Sequence, residues 1–489
     1  MKNSPLNQDI TLVGGGIMSL TLAVLIKEVY PNCKITVIER LNQCAMESSQ
    51  ALNNAGTGHA GNCELNYTPM KNNIISLGKA IEVNEMFETS LQFWAYLDKK
   101  YPQFKPKKFL RKTPHISFVK GETDVAFLKK RYEALSREPL FNKMEFTSDQ
   151  EIIKQWAPLL ISENIKNEVV AATKIEHGTD VNFGELTNQL LTLLMKKPNF
   201  NIILNSDVID IKKTNNNEWI VYYSDLISKK NITLKTSNVF IGAGGKAISL
   251  LQKMKVKEAY GYAGFPVSGK WLVCSNPSVV NKHNVKVYGQ ALPKSPPMSI
   301  PHLDLRVIGG KKTLMFGPFA GFTLKFLKHG SFFDLPKTIK INNIKTMVGV
   351  FFKNLNLLLY LIKQSLHSHK KRMQELRNFY PEALDSDWSL LDAGQRVQIM
   401  KKCPMEGSKL EFGTEIIFTK DKKLSALIGA SPGASVSAHS MLNVLTTMFN
   451  IDSHKTIKEM VPGYGVALNK NPKKLDQIRD KIYSQLGLD

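Results

Sequence analysis

Three consecutive glycines, Gly14-Gly15-Gly16, lead into Ile17-Met18-Ser19, and the next apolar run closes on Glu39. This spacing of glycine and acid suits a dinucleotide. Gly14 lets the chain turn tightly, and Gly16 lets the backbone approach a pyrophosphate. The helix that follows offers free N–H groups and a partial positive charge. Glu39 is placed to accept ribose hydroxyls, with Met18 and Arg40 as flanking contacts. Ser19 stands where a third glycine is usual and is small enough for helix and strand to pack. A second turn, Gly242-Ala243-Gly244-Gly245-Lys246-Ala247, has the Gly-x-Gly-x-x-Ala spacing. However, no acid ends a strand about 20 residues later, as a second site would need. It reads instead as a strand returning to the same sheet, with Gly242 and Gly244 beside the first nucleotide. One dinucleotide is expected, and these residues leave FAD and NAD both open.

The elements that must hold this site are legible around it. Ile10–Val13 reads as a buried strand, Leu20, Leu22, Ala23, Leu25 and Ile26 as a helix, and Ile35–Ile38 as a second strand. Together they form a βαβ unit and make the chain an α/β protein. With 489 residues, 43% hydrophobic and 22% charged, the chain folds into large domains; disordered and fibrous classes are excluded. The net charge is +23 and comes from scattered lysines rather than from an arginine-aromatic stripe. Such an excess suits a lysine-rich soluble surface or attraction to an anionic membrane surface, and no nucleic acid is expected. Five widely spaced cysteines form no CxxC pair, which fits a reducing compartment. No His or Cys spacing calls for a metal. The polar start, Met1–Asp9, has no apolar signal core. Thr346–Ile362 is the most apolar stretch, but Lys353, Asn354 and Asn356 interrupt it. It is too short to span a bilayer. With the basic run after it, the segment 346–372 fits either a core helix or one lying on a membrane surface.

Further motifs recur in one order along the whole chain. They include Asn53-Asn54-Ala55-Gly56-Thr57-Gly58-His59, Gly178-Thr179-Asp180-Val181-Asn182, and Gly264-Phe265-Pro266-Val267. Pro297-Met298-Ser299-Ile300-Pro301-His302-Leu303-Asp304, Phe316-Gly317-Pro318-Phe319, Ala393-Gly394-Gln395-Arg396 and Gly429-Ala430-Ser431-Pro432-Gly433 follow. In these the chain resembles the FAD-dependent malate:quinone oxidoreductases. The resemblance implies a mixed α/β fold like that of D-amino-acid oxidase. A Rossmann-like FAD-binding domain would be built from discontinuous segments, 1–70, 165–270 and 390–460. A substrate domain on a large mixed β-sheet would take 71–164 and 271–389, leaving 461–489 as a C-terminal tail. It also implies oxidation of (S)-malate to oxaloacetate, with hydride transfer to flavin and electrons passed to membrane quinone. The enzyme would sit peripherally on the inner face of the cytoplasmic membrane. The residues themselves leave open L-lactate or 2-hydroxyglutarate as the substrate and oxygen as the acceptor.

That reaction needs a base for the hydroxyl proton and a cation for a carboxylate. A neutral histidine suits the first, and the planar fork of arginine suits the second. His302 is the expected base, at the head of a strand-like run, with Arg306 four residues on along the same face as the clamp. Gln395 and Arg396 are further candidates for substrate contact. His59 follows a turn, Thr57-Gly58, expected to run close to the flavin. Gly429, Ala430, Pro432 and Gly433 form a turn before a helix, whose free N–H groups would face the flavin pyrimidine edge and stabilise negative charge there. His177 reads as a surface residue.

Overall fold

The structure is a computed structural model and describes residues 9–165, 168–290, 300–405, 407–430, 433–451 and 455–489. Two large sheets organise it. The first has six strands in the spatial order Phe200–Ile203, Lys34–Ile38, Asp9–Val13, Asn238–Ile241, Leu424–Gly429 and Thr414–Phe418. Neighbours are parallel except for the last pair. Its central strands are apolar without alternation because both faces are covered, as parallel sheets require. One face carries the helices Ile17–Val29, Phe183–Leu194 and Ser437–Phe449. Every residue of Ile17–Val29 is buried. The other face carries the helix Lys246–Lys253 and a three-stranded antiparallel sheet spanning 206–236.

The second sheet has ten strands and is mixed. In order they are Gly407–Glu411, Arg396–Cys403, Ala263–Cys274, Lys311–Phe322, His302–Ile308, Lys286–Tyr288, His115–Lys120, Val170–Ile175 and Glu145–Thr147; Ser389–Asp392 pairs alongside Ala263–Cys274. The chain crosses between the sheets after Glu411, so Arg396 heads a strand of the second sheet while Thr414 opens one of the first.

Sheet membership moves the expected boundaries. Val170–Ile175, Ala263–Cys274 and Arg396–Cys403 belong to the large mixed sheet, although 165–270 and 390–460 were expected in the nucleotide domain. The helix Gly78–Lys100, expected with the substrate domain, buries Phe87, Leu91, Trp94 and Leu97 in the nucleotide-domain core. The segment 461–489 is no loose tail. Its helix Pro472–Leu486 buries Leu475, Ile478 and Ile482 in that same core, and Arg479 pairs with Glu88 at 2.8 Å.

The apolar stretch forms two helices, Ile344–Lys353 and Leu355–Ser365, bent by 77°. No single helix among the described residues is long and apolar enough to cross a membrane. Each helix buries only a few residues, and Phe352 (77% exposed), Val348, Leu355, Leu359 and Ile362 face outward.

Candidate active site

A cavity of about 270 Å³ runs along the carboxyl ends of the six-stranded sheet. Gly14, Gly15, Gly16, Met18, Glu39, Arg40, Thr57, Gly242, Gly244, Gly429, Ala430 and Gly433 all line it. At Gly14 the backbone is left-handed (φ +98°), and a Cβ there would lie 2.6 Å from the Gly242 carbonyl oxygen. The two glycine turns therefore close on each other at the strand ends. Glu39 accepts hydrogen bonds from the Gly15 N–H (2.6 Å) and the Leu41 N–H (2.8 Å), which fixes its carboxylate on the cavity wall. Burial raises its pKa above the usual carboxylate value. The N-cap residue Gly16 has no side chain, and the first helical N–H, that of Ile17, donates to Ser49 Oγ (3.0 Å) on the cavity wall.

Ser19 lies outside the lining. Its hydroxyl sits 2.4 Å from where a Cβ on Gly242 would be, so it sets the helix-to-strand approach rather than touching a ligand. Gly58 is also outside, pressed against Thr179 and Phe87. Pro432 lies outside the described residues. Asp207 and Lys246, not anticipated, form an ion pair at the cavity edge.

The donor set fits an FAD molecule on the protein's own terms. The glycine turns let the two strand ends close on the cavity, the N-terminal turn of the helix Ile17–Val29 lines it through Gly16, Ile17 and Met18, and Glu39 lies on its wall where a ribose would be held. The buried Gln395 Oε1 and Ser435 Oγ, both on lining residues, have no partner among the described residues.

A second cavity, about 730 Å³, joins the first through Ala55, His59, Arg396 and Thr414, which line both. His302 lies on its wall, 5% exposed. Its Nδ1 is 2.7 Å from Asp304 Oδ2, and its ring stacks on Tyr288 at 4.3 Å with an interplanar angle of 3°. The Tyr288 hydroxyl in turn bonds Thr57 Oγ1 (2.8 Å). Burial lowers the His302 pKa, against the opposing pull of Asp304. Asp304 is held below the usual carboxylate range by His302 and Lys286, against its own burial. The ring is thus neutral, with Nδ1–H donated to Asp304 and Nε2 left to accept a proton.

His59 shows a second such arrangement, with Nδ1 bonded to the buried Glu64. Glu64 is drawn below its usual pKa by His59 despite full burial.

The two arginines separate. Arg306, expected to clamp a carboxylate, lines neither cavity and is fully buried. Its Nη1 donates to the Ala51 and Asn54 carbonyls (2.8 and 2.6 Å), and its Nε lies 2.8 Å from Asp180 Oδ1. Gly56 has no Cβ because the guanidinium fills that place. Arg306 therefore ties the 51–57 loop to the large sheet. Lys286, also fully buried, bridges Asp180 (3.0 Å) and Asp304 (3.7 Å) in the same cluster.

Arg396, by contrast, lines both cavities and has no hydrogen-bond or ion-pair partner among the described residues. Burial lowers its pKa below that of a free guanidinium. Gln395 faces the first cavity and Gln398 the second. His177 is half-buried against Tyr483 at 5.5 Å rather than on the surface; burial drops its pKa to about 3.

Asp304, Glu64, Tyr288 and Lys286 were not anticipated. Asp304 had a signal, since it stands two residues from His302 on the same strand face. Glu64 lies five residues after His59, while Tyr288 and Lys286 come from another strand and had no signal.

This fold and cavity pair define an FAD-dependent oxidoreductase of the glycine-oxidase and D-amino-acid-oxidase type. L-α-glycerophosphate oxidase from Mycoplasma pneumoniae with FAD bound superposes with a TM-score of 0.58 at 16% identity, covering 90% of this chain and 94% of that one. Glycine oxidase from Geobacillus kaustophilus gives 0.58 at 12% identity, covering 91% and 95%. Residues 6–488 match the malate:quinone oxidoreductase family, and the chain belongs to it. A probable malate:quinone oxidoreductase of Methylobacillus flagellatus is 47% identical over 491 residues, 99% of each chain. One from Geobacillus sp. is 49% identical over 493 residues, covering 100% of this chain and 97% of that one.

Proposed function

We infer that this chain oxidises malate to oxaloacetate where the two cavities meet, with His302 as the base and Arg396 as the carboxylate clamp. The observation that carries the reading is a neutral, Asp304-oriented histidine and an unpartnered, half-buried guanidinium lining one cavity, which adjoins the dinucleotide cavity. When bound, FAD supplies the acceptor for the hydride that leaves C2 of malate. The rest falls to the chain. Arg396 takes a carboxylate in a bidentate pair that also neutralises its own buried charge. Nε2 of His302 accepts the hydroxyl proton, and Asp304 stabilises the imidazolium that results. Tyr288 holds the ring by stacking and so fixes its approach.

Electrons go to quinone, and the apolar face of Ile344–Lys353 and Leu355–Ser365 supports peripheral attachment to an anionic bilayer. Exposed Lys337, Lys340, Lys345 and Lys363 surround that face. Basic residues near such a surface are worth about 1 kcal/mol each at low salt.

The test is anaerobic bleaching of the purified flavoprotein by L-malate, L-lactate and 2-hydroxyglutarate, followed by reoxidation with a short-chain quinone. Bleaching by malate, reversed by quinone, is expected. Bleaching by another acid instead moves the substrate, and no bleaching with FAD bound sinks the reading.

A further inference from the structure

We propose that the 730 Å³ cavity is a single site used in turn by both substrates, with the quinone ring entering past Phe412 once oxaloacetate has left. The inference rests on malate and quinone as the two substrates, as set out above.

Size is the first argument. A cavity of this volume suits a drug-sized molecule and greatly exceeds a four-carbon dicarboxylate. The lining is the second, because it is mixed. His59 and Arg396 line both cavities, and Tyr288 and His302 line the second. Phe412, Ile416, Val436 and Met86 supply apolar wall, beside the charged Lys79, Glu82, Lys401, Glu411 and Glu415. Phe412 is 38% exposed, so it stands at the rim.

Position is the third argument. Phe412 directly follows the strand Gly407–Glu411, and the helix Ile344–Lys353 lies across that strand. Lys353 Nζ donates to the Ser408 carbonyl at 3.1 Å, and a Cβ on Gly349 would lie 2.4 Å from Ser408 Oγ. From Ser408 to Phe412 is four residues, roughly 13 Å at the rise of a strand. The rim therefore stands a short step from the outward apolar helices, and the Lys401, Lys409, Glu411 and Glu415 charges beside it are paired with one another.

The proton account also closes in one cavity. Malate oxidation releases two electrons and two protons, and reduction of quinone to quinol takes up two electrons and two protons. One of those protons rests on His302 Nε2 between the half-reactions, within reach of whatever occupies the cavity. A quinone there takes it directly.

The test uses the oxidised holoenzyme and a redox-inert short-chain quinol dimethyl ether, with binding read by titration calorimetry. Oxaloacetate at ten times its own Kd should raise the apparent Kd of the ether roughly tenfold, as mutually exclusive binding requires. Phe412→Asp should weaken the ether by tenfold or more and leave oxaloacetate binding unchanged. An ether affinity indifferent to oxaloacetate means two separate sites and overturns the proposal, as does an ether that does not bind or is insensitive to Phe412→Asp. Anaerobic bleaching by malate, run on the same samples, tests the underlying malate reading separately. Vesicle flotation of Phe352→Asp does the same for membrane attachment.

Discussion

Arg396→Met separates a binding arginine from a structural one because the two roles predict opposite signs. The guanidinium is half-buried at the junction of the cavities and has no partner among the described residues, so the empty protein bears part of its desolvation cost. Methionine has similar reach and no charge. Replacing a buried charge with a well-fitting apolar residue is commonly neutral or stabilising by about 1–4 kcal/mol. Malate then loses its partner. Truncating one side of a buried charge pair costs about 2–5 kcal/mol. At ~1.4 kcal/mol per decade, that is roughly a 30- to 3,000-fold rise in the malate Kd. The Kd is read from the malate dependence of anaerobic flavin reduction in a stopped-flow instrument. FAD stoichiometry and the Tm of the holoenzyme are measured alongside. The expected result is unchanged FAD content, a Tm equal to or above wild type, and weak malate binding. A lowered Tm with normal malate affinity would refute the reasoning and make Arg396 an interdomain strut.

Further outcomes follow from the same geometry. His302→Ala should slow flavin reduction by malate by about 10²–10⁴ with FAD retained, and a near-normal rate removes the base assignment. Because burial lowers the His302 pKa, its neutral form persists through neutral pH, so the reduction rate should hold there and fall only below the ordinary histidine range. Asp304→Asn removes the group that raises that pKa; the plateau should drop and the inflection move to still lower pH, whereas a shift upward contradicts the dyad. Asp180→Asn leaves Lys286 and Arg306 short of an anion and should cost about 3–5 kcal/mol in denaturant unfolding, with any loss of malate affinity secondary to that. Gly14→Ala forces a Cβ onto the Gly242 carbonyl, and the purified protein should carry little flavin by its visible absorbance.

The sequence made local geometry legible and left depth hidden. The βαβ unit from Asp9 to Ile38 could be read because glycine turn, helix and acid lie within one contiguous stretch, and hydrogen bonds donated by the Gly15 and Leu41 N–H groups to Glu39 complete it. His302 could be placed on a strand face, and so could Asp304 and Arg306. Periodicity assigns a face, but it does not say what covers that face. The carbonyls of Ala51 and Asn54 and the carboxylate of Asp180 reach Arg306 from segments far away in the chain. The domain boundaries failed for a related reason. Strands such as Val170–Ile175 and Ala263–Cys274 read as strands in either sheet, and only their partners decide which.

The contrast between Arg306 and Arg396 is the strongest argument the site offers. Both stand in family-like motifs, Arg306 fully buried and Arg396 half-buried, and residue type alone cannot rank them. The protein has surrounded Arg306 with an anion and carbonyl oxygens, so its charge is already balanced and no valence remains for a substrate. The same cluster sets Asp180 and Asp304 against Lys286 and Arg306, two anions and two cations, and so leaves His302 neutral as a base must be. Arg396 stands outside that balance. An uncompensated buried cation costs stability in the absence of ligand, and a fold retains such a cost where an anion regularly arrives to remove it. Arg396 and His302 line one cavity, and Arg396 also lines the dinucleotide cavity, so an anion that balances Arg396 would be held in the space that His302 faces.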